Sequence, residues 1–283
     1  MTDVAAAATY VRSLSRHDLP ELVALLDRDP LTNLFVRHRV DATRMDQRWL
    51  GAQIWGYFEG GTLTSACHVG ANVVPVEATP AAIDAFAHRL ARRDSQSRSI
   101  VGPAHVVGPL WERLRPHWGP ARSERLDQPF LMMDNDSPVP PDDRVRPVAL
   151  DEVDALYPAS VAMFTEEVGI DPTVGDRGGY RARVTQLVSE GCSYAIIENG
   201  EVVFKTEVGA STAAACQLQG VWVDPRYRGR GISAPALAAV VFLVRRAFAP
   251  TVTLYVNDFN VPARRLYETV GFRQVDTFAT ILM

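Results

Sequence analysis

Apolar residues spaced three and four apart predict helices over Leu19–Leu26 and Pro80–Ala91, with the same spacing at Leu110–Leu114. Between the first two, Trp55–Val74 reads as a strand pair turning at Gly60–Gly61, and Pro129–Met133 as a closing strand. The pattern then breaks. Residues 134–143 are rich in proline and aspartate and have no periodic apolar face, which predicts a linker or long loop.

Beyond the linker, Val145–Val148 reads as a short strand, Asp151–Phe164 as a helix opened by acids, and Arg177–Ser189 as a second helix. Tyr194–Ile197 and Glu201–Val208 are strands joined across Asn199–Gly200, a pair that tolerates the left-handed conformations of a two-residue hairpin turn. Gln217–Val223 is a third strand. A helix over Ser233–Phe248 follows, with Ser233 as its N-cap and Pro235 in its first turn, then a β-branched strand, Thr251–Val256. A helix over Val261–Thr269 and two final strands complete the order. This predicts an α/β protein of α+β character with a mixed sheet, crossing over in parallel between Gln217–Val223 and Thr251–Val256. The expected domains are 1–133 and 144–283, joined by 134–143.

With 283 residues, 47% of them hydrophobic and 22% charged, the chain can bury two cores without metals or disulfides. The net charge is −4; residues up to Asp143 carry 15 basic and 18 acidic side chains, and the rest 14 and 15. Neither half has the one-signed field of a nucleic-acid or polybasic membrane binder. Cys67, Cys192 and Cys216 are widely spaced without a CxxC pair, which argues against a disulfide framework and a zinc site and for a reducing compartment. Asp3 sits where a signal peptide would be basic, and the longest apolar stretch, Ala234–Val244, is about half of the ~20 residues a membrane span needs, so a cytoplasmic protein is expected. Lys205 is the only lysine among 29 basic residues, which reads as the codon bias of a GC-rich genome.

The informative segment is Val221–Ser233, VWVDPRYRGRGIS, where a strand stops at Asp224–Pro225 and a loop of arginines and glycines opens a helix. Glycines let the backbone approach a ligand, successive amides converge, and the helix N-terminus adds partial positive charge, so the segment suits a diphosphate. No GxxxxGK[ST] or GxGxxG pattern is present there, which disfavours ATP and NAD.

Arg226, Gly229 and Gly231 meet the pattern [QR]xxGx[GA], and Asn260, Ala263, Leu266, Tyr267, Gly271 and Phe272 meet a second pattern, Nxx(A)xxLYxxxGF. Together they resemble the GNAT superfamily of acetyl-CoA-dependent N-acetyltransferases over about Arg144–Met283. The resemblance implies that amides of Arg228, Gly229, Arg230, Gly231, Ile232 and Ser233 hold the pyrophosphate, with Arg226 beside them. Main-chain groups of Val221, Trp222 and Val223 would pair with the pantetheine arm and polarise the thioester carbonyl. Asn257, Asn260 and Ala263 would line the CoA arm, and Tyr267 would protonate the departing thiolate.

The base departs from the family pattern, because Ala215–Val223 contains Gln217 and Gln219 but no carboxylate. Glu207, on the preceding strand and alternating with Lys205, and Glu166 and Glu167, between the first two helices, are the candidates, each also readable as a surface carboxylate. All six histidines (His17, His38, His68, His88, His105 and His117) precede the linker, which argues against a Ser-His or Cys-His machine in the second half. The first half repeats the element order of the second without RxxGxG. Its nearest analogue, Ile100–Trp111, has no basic residue between Gly102 and Gly108, so the first half reads as a degenerate copy in a tandem arrangement.

The expected function is transfer of an acetyl group from acetyl-CoA to a primary amine of a small molecule, peptide or protein, without a metal. The alternatives are an inactive acyl-CoA sensor and a transferase of a longer acyl or aminoacyl group. A monomer is expected, with a homodimer as the alternative.

Overall fold

The computed structural model describes residues 8–93, 97–175 and 177–283, which divide into two compact units. The first unit comprises residues up to Phe130 together with Tyr255–Phe259 and Gln274–Met283; the second comprises Leu131–Leu254 and Asn260–Arg273.

In the first unit the strands are β1 (Thr9–Ser13), β2 (Gln53–Glu59), β3 (Thr62–Val69), β4 (Asn72–Val76), β5 (Ser99–Pro103), β6 (Ser123–Met133) and, from the far end of the chain, β12 (Arg273–Leu282). Their order is β1-β2-β3-β4-β5-β12-β6. Only β4 and β5 are parallel in the ladders from β1 to β12. Helices cover both faces because the strands are apolar on both. Trp55 and Tyr57 pack with Phe86 of α4 (Pro80–Leu90) and Trp111 of α5 (Ala104–Trp118). Ile54 and Phe58 pack with Leu22 of α1 (Leu19–Leu26) and Val36 of α2 (Leu34–Thr43). A short helix, α3 (Gln47–Leu50), leads into β2.

The second unit contains β7 (Arg146–Pro147), α6 (Val153–Val168), α7 (Arg177–Ser189), β8 (Ser193–Glu198), β9 (Glu201–Ser211), β10 (Ala215–Val223), α8 (Ser233–Ala247), β11 (Thr251–Tyr255) and α9 (Val261–Val270). Its strands run β11-β10-β9-β8-β7, antiparallel except for the β10–β11 pair. Asn199 and Gly200 have φ of 51° and 79°, the left-handed pair that a tight hairpin between β8 and β9 requires. Met163 of α6, Val184 of α7 and Trp222 of β10 share one core cluster, and Ala236, Leu237, Val240, Val241 and Val244 bury α8.

Three expectations change. The two final strands are one, β12, and its Phe278–Leu282 register antiparallel with Ser99–Pro103, placing Ala279 and Ile281 in the first unit's core. Residues 134–143, expected as a linker or long loop, fall within the second unit and are tied to its helices: Arg245 binds Asp136 and the Asp134 carbonyl, Ser137 donates to the Val270 carbonyl, and the Asp142 amide donates to the Pro235 carbonyl. The counterpart of the β10–α8 loop in the first unit is Glu77–Thr79 after β4, not Ile100–Trp111, which forms β5 and the start of α5.

Candidate functional site

The β9–β10 ladder pairs Gln219 with Glu207 and Trp222 with Lys205, so β10 carries an extra residue between them and bulges. Gly220 sits in that bulge at φ 60°, and a Cβ there would meet the Met163 side chain at 2.7 Å and Lys205 Nζ at 3.3 Å. Glycine is therefore required twice, by conformation and by space. On its other side β10 pairs in parallel with β11 from Ala215↔Thr251 to Gln217↔Thr253, where the ladder ends. From Leu218 to Val223 the β10 edge facing β11 continues without a ladder partner among the described residues.

That edge runs into a nine-residue connector, Asp224–Ile232, before α8. Asp224 accepts from the Arg226 amide and caps a single 3-10 turn, Pro225–Tyr227. Gly229 and Gly231 have φ of 73° and 75°, and a Cβ on either would meet nothing within 4 Å. Ser233 is the first helical residue rather than the cap; Ile232 holds the cap position and supplies no side-chain acceptor. No acceptor is found among the described residues for the amides of Gly229–Ser233. A helix N-terminus and alternating left-handed glycines thus present unsatisfied donors, which is a nest for an anion.

The arginines of this loop are already partnered. Arg226 pairs with Asp224 at 2.8 Å and Glu201 at 3.0 Å; Arg228 donates to the Val223 carbonyl at 2.9 Å and to Glu166 at 2.7 Å. Arg230 lies over the Tyr227 ring, 5.2 Å from its centroid. At the other end, Asn260 caps α9 by accepting from the Ala263 amide. Asn257 lies in the segment grouped with the first unit, accepting from Gln128 at 2.8 Å.

Tyr267, on α9, is buried edge-on against Phe272, and no partner for its hydroxyl is found among the described residues. Burial, and next the charge of Glu167, push it above the ordinary phenol range, so it is a protonated donor at neutral pH. The three candidate bases differ. Glu166 is on the exposed last turn of α6, with Trp222 Nε1 on one oxygen at 3.3 Å and Arg228 on the other. Glu167, also exposed on that turn, acts electrostatically on both Tyr267 and Tyr180. Glu207 is buried rather than on the surface: Lys205 Nζ donates to it at 2.9 Å and Gln219 Nε2 at 2.9 Å. Burial pushes its carboxyl up, but the Lys205 charge and the two hydrogen bonds outweigh that and hold it below the ordinary range.

A depressed folded-state value contributes stability above the usual glutamate pKa, and the contribution is lost as pH falls through the folded value. Urea unfolding of wild type and Glu207→Gln is expected to differ by about 3 kcal/mol at pH 7, because the variant leaves Lys205 buried and unpaired. The two curves should begin to converge near about pH 4, where the unfolded carboxyl protonates, and meet only below the lower folded value. A constant gap across that range would show that Glu207 is not ionised in the folded protein.

The first unit has no such site at the equivalent place. Its connector is three residues, Glu77–Thr79, and Thr79 caps α4 by accepting from the Ala82 amide. Pro75 occupies β4 and lies within 3.7 Å of where a Gly102 Cβ would be on β5.

The mixed sheet, whose parallel pair parts beside a bulged strand that runs into a glycine-rich helix start, has known counterparts. Residues 171–272 match the Acetyltransferase (GNAT) family model, so the C-terminal region has the resemblance read from its motifs. Residues 52–156 match a domain family of unknown function. A Drosophila protein solved by X-ray crystallography shares the fold over 98% of this chain and 99% of its own, with TM-score 0.69 and 14% identity. A GNAT-family acetyltransferase from Colwellia psychrerythraea matches over 97% and 99%, with TM-score 0.56 and 13% identity. A tandem GNAT protein from the clavulanic acid biosynthesis pathway matches over 97% and 98%, with TM-score 0.56 and 16% identity. The fold is therefore that of tandem GNAT proteins. No curated protein matches by sequence. No helix among the described residues is long and apolar enough to cross a membrane.

Proposed function

We propose that the second unit binds acetyl-CoA where β10 and β11 part and moves the acetyl group directly to a primary amine of a small molecule or peptide, without a metal. The observation that carries this reading is a run of open main chain: a strand edge from Leu218 to Val223 with no ladder partner facing β11, its Val223 carbonyl taken by Arg228, followed by the partnerless amides of Gly229–Ser233. A pantetheine arm pairs with the first as an added strand, and a pyrophosphate fills the second.

The chemistry then needs protons removed from the attacking nitrogen and one delivered to the leaving sulfur. The acceptor's ammonium loses its proton to Glu167, and the neutral nitrogen bonds to the thioester carbon while the amides of Val221–Val223 take up charge on its oxygen. The carbon–sulfur bond breaks and the sulfur takes the Tyr267 proton. Because burial holds Tyr267 above the usual phenol range, it releases that proton only as charge builds on sulfur. The nitrogen, which still carries a second proton after the attack, releases it to solvent, Glu167 returns its own proton to Tyr267, and the products are an amide and a free thiol.

Tyr267→Phe is expected to lower kcat by about 100-fold while the Kd for acetyl-CoA stays within about twofold. Acetyl transfer to an amine panel and calorimetry measure the two quantities; unchanged kcat removes Tyr267 as the acid. A sensor without catalysis is the second reading, favoured by the engagement of both oxygens of Glu166 and of Glu207. Wild type that binds acetyl-CoA and acetylates no amine in the panel supports it.

A further inference from the structure

The chain's single lysine is among its most buried side chains. Lys205 is 1% exposed, and the only hydrogen bond of its ammonium among the described residues goes to Glu207. Lys205 and Glu207 lie opposite Trp222 and Gln219, the two residues that flank the bulge in β10. The ammonium and the Met163 side chain together fill the space that a side chain at Gly220 would occupy, with Nζ 3.3 Å from the Cβ position, while Glu207 lies one pair further along and is closed off by Gln219. Ser193, directly across from Glu207 on β8, keeps a buried hydroxyl without a partner in the same cluster. A buried ion pair adds little stability over an apolar pair of the same volume, so packing does not account for it. What the pair does have is placement: its positive end lies against the bulged backbone at Gly220, and its negative end is held by Lys205 and by Gln219 at the edge of the bulge.

We infer that Lys205 is a positioning residue for acyl transfer, pinning the bulge and placing a fixed positive charge behind the β10 amides that receive the thioester oxygen. This rests on the proposed acetyl-CoA site. A charge set in a dry environment and aligned before reaction stabilises a developing oxyanion without reorganisation. The inference concerns kcat and the polarisation of the bound carbonyl, not affinity for the donor, whose pyrophosphate contacts lie on the connector.

The test uses the full chain as wild type, Lys205→Met, Lys205→Arg and the doubly neutral Lys205→Met/Glu207→Gln. Calorimetry gives acetyl-CoA affinity, steady-state turnover gives kcat, thermal melting gives stability, and the carbon-13 resonance of carbonyl-labelled acetyl-CoA reports polarisation in the complex. The double variant removes the unpaired charge that destabilises Lys205→Met. It is expected to melt near wild type and bind acetyl-CoA within about threefold, yet to lose at least about tenfold in kcat. Its bound carbonyl resonance is expected upfield of wild type, and Lys205→Arg should recover part of both effects. A double variant with wild-type kcat and resonance overturns the inference while leaving the acetyl-CoA site standing. If wild type binds acetyl-CoA without turnover, the resonance alone decides in the same way. Wild type that binds no acetyl-CoA overturns the site and the inference together.

Discussion

Residues 1–133 expressed alone are expected to yield no folded protein, with random-coil backbone circular dichroism or aggregation. The fragment lacks β12, the strand between β5 and β6 in the first unit's order. It loses Phe278, Ala279 and Ile281 from the buried apolar set, and five residues of β5, Ser99–Pro103, lose their ladder. Fully burying one large apolar side chain is worth about 1.5–3 kcal/mol, and a whole domain is stable by only about 5–15 kcal/mol, so losing the strand removes much of the margin. It also leaves apolar strand edges open to association. Supplying residues 274–283 through a short designed linker after Met133 should restore dispersed amide proton spectra. A fragment 1–133 that folds cooperatively by itself would show that β12 contributes little to this unit.

Gly229→Glu is expected to raise the Kd for acetyl-CoA at least 100-fold, to the limit of calorimetric detection. The residue is in the left-handed region at φ 73° with open space around it, so glutamate adds backbone strain of about 1–2 kcal/mol and a carboxylate aimed at the region of the proposed pyrophosphate. Asparagine tolerates the left-handed conformation far better. Gly229→Asn is therefore expected to bind within about tenfold of wild type, separating charge repulsion from strain. Equal losses in the two variants would mean that conformation alone matters. Undiminished binding by Gly229→Glu would place the donor elsewhere.

Much of the second unit was legible because its local signals agree with the fold. Arg177–Ser189 has the bounds read from the sequence, and Asn199–Gly200 makes the turn its residue types require. In the first unit, α2 gives no clear signal because its segment, LFVRHRVDAT, bunches Leu34, Phe35 and Val36 at one end and spreads polar residues through the rest, so no one face stands out. β5, SIVGP, is short and ends in glycine and proline, which read as punctuation. The destination of β12 could not be read, since pairing with β5 is set by a partner some 180 positions away in sequence and leaves no local trace.

The candidate site shows the same division. Gly229 and Gly231 were visible because only glycine takes up their conformation readily. Lys205 and Glu207 alternate as charged residues do on a solvated strand, so their burial was invisible; the one available signal was that a chain almost devoid of lysine keeps one within an apolar strand. The Glu166 contacts with Trp222 and Arg228 join residues far apart in the sequence and had no signal at all.

The return of β12 to the first unit also orders events during synthesis. Phe130 leaves the ribosome well before Gln274, and at about 5–20 residues per second the interval is roughly 7–30 s. Throughout it, the amino-terminal unit waits with a gap in its sheet, while Leu131–Leu254 emerge and can begin to fold. The nascent chain thus reverses the usual vectorial sequence, in which the part made first is finished first. Its earliest-made half is the client that chaperones would hold longest.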